Sequence, residues 1–107
     1  MSVTPKELIA SAQLTTSSAL QYTATNVRAI IDKFTLCNTT ASAATVTVYI
    51  GTASATNTII SEKSIAAGST YTCPEIVGHI LNPGETIYAL ASAAMSITIR
   101  ASGREVT

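Results

Sequence analysis

The side chains able to carry proton transfer, nucleophilic attack or metal binding are few: one histidine, two cysteines and six carboxylates in 107 residues. Acid–base and nucleophilic mechanisms need groups that titrate near neutral pH and reach one another. His79 stands between Gly78 and Ile80 in an apolar stretch, with no HxH or HExxH partner. A metal site of three or four ligands is therefore not assembled around it, and it reads as a packing or hydrogen-bonding histidine. Cys37 and Cys73 are too few for a disulfide framework and are expected as free, mostly buried thiols. Asp32, Glu62, Glu75 and Glu85 fall in different expected strands or loops, where no spacing pairs two of them. The five glycines are isolated, so neither GxGxxG nor GxxxxGK, the loops that cradle phosphates, is present. Four tyrosines (Tyr22, Tyr49, Tyr71, Tyr88), one Phe and no Trp make a thin platform for stacking bases or sugars. No catalytic set, metal or cofactor is expected.

Charge narrows the partners. Six basic residues balance six acidic ones, and Lys6, Arg28, Lys33, Lys63, Arg100 and Arg104 are scattered. Binding to nucleic acid rests on clustered Lys and Arg that displace counterions from phosphates, so no nucleic-acid partner is expected. No run approaches the ~20 consecutive apolar residues of a membrane helix. The opening residues lack the basic and apolar regions of a secretory signal. A protein made in a cytoplasm, with no membrane partner, is the expectation.

The elements that would position these residues are strands. Val, Ile, Leu, Phe and Met number 27, while Ala, Ser and Thr number 47, a bias towards small and β-branched side chains that suits pleated sheets. Residues 45–50 alternate Thr-Val-Thr-Val-Tyr-Ile, and residues 95–101 place Met95, Ile97, Ile99 and Ala101 on one face. Such alternation marks antiparallel strands with one dry face. Residues 28–38 read as a long strand with Ile30, Phe34 and Leu36 on one face and Ile31, Lys33, Thr35 and Cys37 on the other. Asp32 falls on the apolar face, which predicts a strand end, a bulge or a neighbouring cation. Further strands are expected at 8–14, 19–23, 59–65, 70–73 and 86–92, while 75–81 has the apolar spacing of a helical turn interrupted by Gly78. Residues 38–44 read as a hairpin loop and Ala93-Ala94 as a tight return. Residues 51–58 form the longest irregular stretch. Asn82-Pro83-Gly84-Glu85 is a type II turn, with proline presetting φ at the second position and glycine taking φ > 0 at the third. Together these predict a flexible arm at 1–7 and one all-β domain at 8–107. That domain is a β-sandwich of seven or eight antiparallel strands, with immunoglobulin-like or jelly-roll connectivity.

The runs Arg28-Ala29-Ile30-Ile31-Asp32-Lys33-Phe34-Thr35-Leu36-Cys37-Asn38-Thr39-Thr40, Ala44 to Ile50 and Leu81-Asn82-Pro83-Gly84-Glu85-Thr86-Ile87 with Ala89 to Ala94 resemble small β-sandwich virion proteins of tailed bacteriophages and prophages. The likeness covers roughly residues 14 to 102, and no residue-level binding site comes with it. It implies a place in the virion. The expected role is an oligomeric capsid decoration (cement) protein on the major capsid protein, with a tail, baseplate or fibre-attachment component as the alternative. Its trimeric state is likewise implied only by the resemblance. A carbohydrate-binding or adhesin-like module, contacting its ligand through residues 51–58, is the competing class. For self-association the expected face is Ile31, Cys37 and Tyr49, which would stand in water in an isolated chain. An exposed aromatic pair near residues 51–58 would favour the binding module, and an apolar patch across one sheet face would favour assembly.

Overall fold

The computed structural model describes residues 2–107; Met1 lies outside them. The strands are β1 (Val3–Gln13), β2 (Ala19–Thr23), β3 (Arg28–Asn38), β4 (Ala44–Ile50), β5 (Thr58–Ile65), β6 (Thr70–Tyr71), β7 (Ile80–Leu81), β8 (Thr86–Ala91) and β9 (Ile97–Val106). One turn of 3-10 helix, Ala55–Asn57, precedes β5. All pairings are antiparallel. The first sheet runs β1-β9-β3-β6, with β7 on a separate stretch of β3, and the second runs β2-β8-β4-β5. The chain is an all-β sandwich.

Its connectivity follows from which strands pair. β1 meets β9, β2 meets β8, β3 meets β6 and β4 meets β5, in nested order, and successive pairs fall alternately in the first and second sheets. This is one long hairpin rolled up, the jelly-roll order. An immunoglobulin-like sandwich would instead keep its first two strands side by side in one sheet. Two of the expected connections change meaning as a result. Residues 39–43 join β3 to β4 across the sandwich rather than within a hairpin. The fully buried Asn38 organises that crossing: its Nδ2 donates to the Ser42 and Ile65 carbonyls at 2.8 and 2.9 Å, while its Oδ1 accepts from the Thr40 N–H at 2.9 Å. Residues 92–96 likewise carry the chain from β8 to the other sheet. Met95 therefore lies in a turn, at φ 59° and 70% exposed, and not on the inner face where alternation had placed it.

Between the sheets, Phe34, Leu36, Ile97, Ile99 and Ala101 meet Val46, Val48, Ile87, Ala89 and Ala91, and all are buried. Each large side chain removed from water contributes ~1.5–3 kcal/mol, so this layer dominates the fold's stability. The expected turn at residues 82–85 is present, with the Glu85 N–H donating to the Asn82 carbonyl at 3.0 Å and Gly84 at φ 91°. The matching bond at Ser69, to the Ala66 carbonyl at 3.0 Å with Gly68 at φ 71°, makes the turn before β6 its counterpart. Residues 74–78 form a hydrogen-bonded turn and no helix, with Ile76 buried and Val77 exposed.

Two further expectations are corrected. In place of the flexible arm expected at 1–7, residues 3–7 are the first half of β1: Val3, Thr4, Pro5 and Lys6 pair with Val106, Glu105, Arg104 and Gly103. They have a partner because β9 runs on through Gly103. A Cβ there would collide with the Ile30 carbonyl oxygen, so glycine is what lets β9 lie against β3 at this point. The second correction concerns β3. Its register against β9 passes from Ile31↔Gly103 to Lys33↔Ser102, leaving Asp32 as the extra residue of a bulge. A bulge moves the inward set by one position. Ala29 and Ile31 point inward before it, and Phe34, Leu36 and Asn38 point inward after it. Asp32 is turned outwards and receives Arg104 in two bonds, Nε to Oδ2 at 2.9 Å and Nη2 to Oδ1 at 3.0 Å. Both readings of its misplaced charge, a bulge and a cation, hold.

Candidate binding surface on the second sheet

The expected assembly face does not form. Ile31 is fully buried in the core, on the inner side of the first sheet. Cys37 is half-buried on the outer side of that sheet, and Tyr49 is half-buried on the outer side of the other. The bulge removed Ile31, and the jelly-roll order separated β3 from β4, which the sequence had treated as neighbours.

The two outer faces differ in chemistry. On the first sheet, strand alternation turns Arg28, Lys33, Arg100 and Arg104 outwards, so four of the six basic residues share one surface. Asp32 joins Arg104, and Glu7 of β1 joins Arg100. These pairs are well exposed, so each is worth little in stability. On the second sheet, β2, β4 and β8 contain no charged residue at all. Their outward side chains form cross-strand rows. Leu20 opposes Tyr88, Tyr88 opposes Tyr49, and Tyr49 opposes Thr58; one step along, Leu90 opposes Thr47. Leu20 is 51% exposed, while Tyr49, Tyr88 and Leu90 are half-buried. Opposed aromatic and aliphatic side chains of this kind stabilise a sheet pair by ~0.2–1 kcal/mol. They also leave an uncharged face that water covers poorly.

At the β5 margin of this face the sheet is not flat. Val46 pairs with Lys63 but Val48 pairs with Ile60, so Ser61 and Glu62 bulge opposite Thr47. Glu62 adopts φ 45°, a conformation that costs a side-chain-bearing residue roughly 1–2 kcal/mol. Its N–H donates to Thr47 Oγ1 at 3.1 Å, which fixes the bulge. Residues 51–57 fold over the same margin, held by Asn57 Nδ2 donating to the Thr52 carbonyl at 3.0 Å and by Thr58 Oγ1 donating to the Ser54 carbonyl at 2.9 Å. Between loop and sheet lies an open groove of about 410 Å³, walled by Tyr49, Thr47, Leu90, Thr58, Ser61 and Glu62. Lys63, next in sequence, is turned away to lie 4.8 Å from the centre of the Tyr71 ring.

Two further clusters of titratable groups are held by internal partners. Tyr22 of β2 donates to Glu105 of β9 at 2.5 Å and Lys6 approaches the same carboxylate at 3.3 Å, tying the two sheets together at one end. Burial, reinforced by that carboxylate, pushes the Tyr22 phenol well above its usual range. Tyr71 donates to Glu75 at 2.6 Å, which holds Glu75 below the ordinary carboxylate range and pushes the phenol up to about 12. Cys37 and Cys73 carry free thiols, one facing outwards from β3 and the other buried in the core. His79 is exposed in the turn after residue 78. Among the described residues, no three His, Cys, Asp or Glu side chains converge to hold a metal ion, and no helix is long and apolar enough to cross a membrane. The chain matches no family model, no curated protein and no solved structure.

The sequence places Leu20, Tyr88, Leu90 and Glu62 in no site, although Tyr88 stands among its four tyrosines and Glu62 among its candidate carboxylates. The first three had a usable signal: residues 86–90 alternate, and none of the segments that form β2, β4 and β8 contains a charge. Glu62 had a weaker one: Ile60 and Ile65 both face inward at an odd spacing, which marks a break in alternation but not which residue bulges.

Proposed function

We propose that the protein is a non-enzymatic structural subunit of a tailed-phage particle, a capsid decoration protein that works as a homo-oligomer. The observation that carries this reading is the division of charge between the faces. A sheet face with no charge can be covered by another protein surface without stripping water from an unpaired ion, which costs several kcal/mol. The face built on Leu20, Tyr88 and Leu90 meets that condition across β2, β8 and β4, with Glu62 only at its β5 margin, and the face bearing Arg28, Lys33, Arg100 and Arg104 does not. Identical subunits close by symmetry, so one such patch on every copy suffices to build a ring. The trimeric state and the capsid as docking site rest on the resemblance to phage virion proteins. The jelly-roll order is compatible with them, since capsid and lectin domains both use it, but fold does not determine function.

The test is the composition of the particle. Tailed-phage particles purified by density gradient from a culture carrying this gene should contain the protein in many copies, at a fixed ratio to the major capsid protein. Absence of the chain from purified particles would remove the virion reading. A second reading, a carbohydrate-binding or adhesin-like module, is favoured by one observation. The half-buried Tyr49–Tyr88 pair lies beside residues 51–57, and Tyr49 walls the groove that they close.

A further inference from the structure

We infer that the groove between β4, β5 and residues 51–57 is a binding site for neutral saccharides, with Glu62 as its specificity-determining residue. The inference rests on the carbohydrate reading of this surface, and the groove shares Leu90 with the proposed assembly face, so it lies at that face's β5 margin.

The carboxylates decide where to look. Of the six acidic residues, five have a partner within the fold. Glu7 has Arg100, Asp32 has Arg104, Glu75 has the Tyr71 hydroxyl, Glu85 has the Asn82 N–H, and Glu105 has Tyr22 and Lys6. Glu62 alone has none among the described residues. It is also the one carboxylate carried on a left-handed backbone position, at φ 45°, where glycine would sit without strain. Backbone strain kept in place by surrounding bonds, here Glu62 N–H to Thr47 Oγ1 at 3.1 Å, clusters at ligand sites. Bulges re-aim side chains in the same places.

The rest of the lining says what the carboxylate would meet. Tyr49 and Leu90 supply an apolar wall, and Thr58 and Ser61 supply hydroxyls on the facing side. Thr58 Oγ1 already donates to Ser54, so its lone pairs are left to accept. A sugar ring offers the complement: a face of C–H groups for the tyrosine ring, and vicinal hydroxyls that donate in pairs to a carboxylate. The volume of about 410 Å³ falls at the small-ligand end of the usual ~300–1,000 Å³ range. A calcium ion is a poorer match, because it takes six to eight oxygen ligands, usually with several carboxylates, and only one is present. Anionic sugars are disfavoured, since their carboxylate would face that of Glu62 with no cation in the groove to offset it.

The site can be probed on the whole protein by amide shifts in ¹H–¹⁵N spectra, with maltose, lactose and α-1,2-mannobiose as neutral probes. Sialyllactose serves as the acidic probe and a trilysine peptide as the cationic one. At least one neutral disaccharide should shift the amides of Thr47, Tyr49, Thr58 and Glu62 in a saturable way. Glu62→Gln, a conservative change at an exposed position, should weaken that binding by ~10-fold or more, as expected for a bond to a charged acceptor. Tyr49→Ala should abolish it, and Thr58→Val offers a second route should Tyr49→Ala disturb the sheet. Saturable binding of sialyllactose at these amides, with no neutral sugar bound, would overturn the neutral-sugar inference while sparing the carbohydrate reading. Failure of all three neutral sugars and of sialyllactose would overturn both. Binding of trilysine alone would reassign the groove to a cationic peptide, and unchanged binding by Glu62→Gln would remove Glu62 from its role.

Discussion

Asn26, Glu62, Cys73 and Met95 hold left-handed backbone positions, and at Glu62 and Cys73 this has a measurable consequence. Glu62 sits at φ 45° in the β5 bulge, so Glu62→Gly should relieve strain and raise stability by ~0.5–1 kcal/mol. In a chain of this size that corresponds to roughly 2–8 °C in Tm. An unchanged or lower Tm by calorimetry would mean that the bulge is not strained. Cys73 sits at φ 50° just before Pro74, and burial, helped by Glu75, pushes its thiol from 9.0 up to about 12. For an acid whose pKa is raised on folding, the neutral form is the one that the fold stabilises. This stabilisation is complete below the unfolded pKa and is lost as pH rises through the folded one. Thermal stability should therefore fall between about pH 9 and pH 12, with the Tyr22 and Tyr71 phenols adding to the slope from about pH 10 upwards. Cys73→Ala should flatten the first part of that fall, visible in Tm measured at about pH 8 and pH 10. An equal slope in both proteins would show that the thiol contributes nothing to it.

At the scale of elements, the first sheet depends on the crossing of β1, β9 and β3 at Gly103. It is paired with Lys6 on one side and Ile31 on the other. Gly103→Ala drives a methyl group into the Ile30 carbonyl and should cost about 3 kcal/mol, the upper end of ordinary overpacking. Urea unfolding would read this directly, and a loss well below 1 kcal/mol would mean that the strands can slide apart at this point. The same region shows what was legible in the sequence. Strands β3, β4, β8 and β9 announce themselves by alternation, and the turn at residues 82–85 by its Pro-Gly pair, because both signals are local. The bulge at Asp32 was half legible, as a charge on the wrong face, but its effect on Ile31 depends on register against a strand some 70 positions away. Likewise residues 39–43 and 92–96 look like hairpin loops from composition. Only the pairing of β3 and β8 with distant strands makes them crossings between sheets. The neutral face was legible strand by strand, yet its assembly from β2, β8 and β4 is set by the jelly-roll order.

At the scale of the whole molecule, the long β1, β3 and β9 give an elongated body of 46 × 25 × 19 Å with one charged broad side and one that is uncharged across β2, β8 and β4. Burying the neutral side between copies gains ~25 cal/mol per Å² of apolar surface, and a stable interface needs roughly 1,200–2,000 Å² in all. Leu20, Tyr88 and Leu90 can be only its centre, with the adjoining loops completing it. The most direct measurement is the native mass of the purified protein at high micromolar concentration, beside that of Tyr88→Glu. The unmutated chain should run as a closed oligomer, expected to be a trimer. Tyr88→Glu, which places an unpaired charge at the centre of the neutral face, should run as a folded monomer with a well-dispersed spectrum. A monomeric unmutated protein, or a Tyr88→Glu variant that stays fully assembled, would contradict assembly through the second sheet.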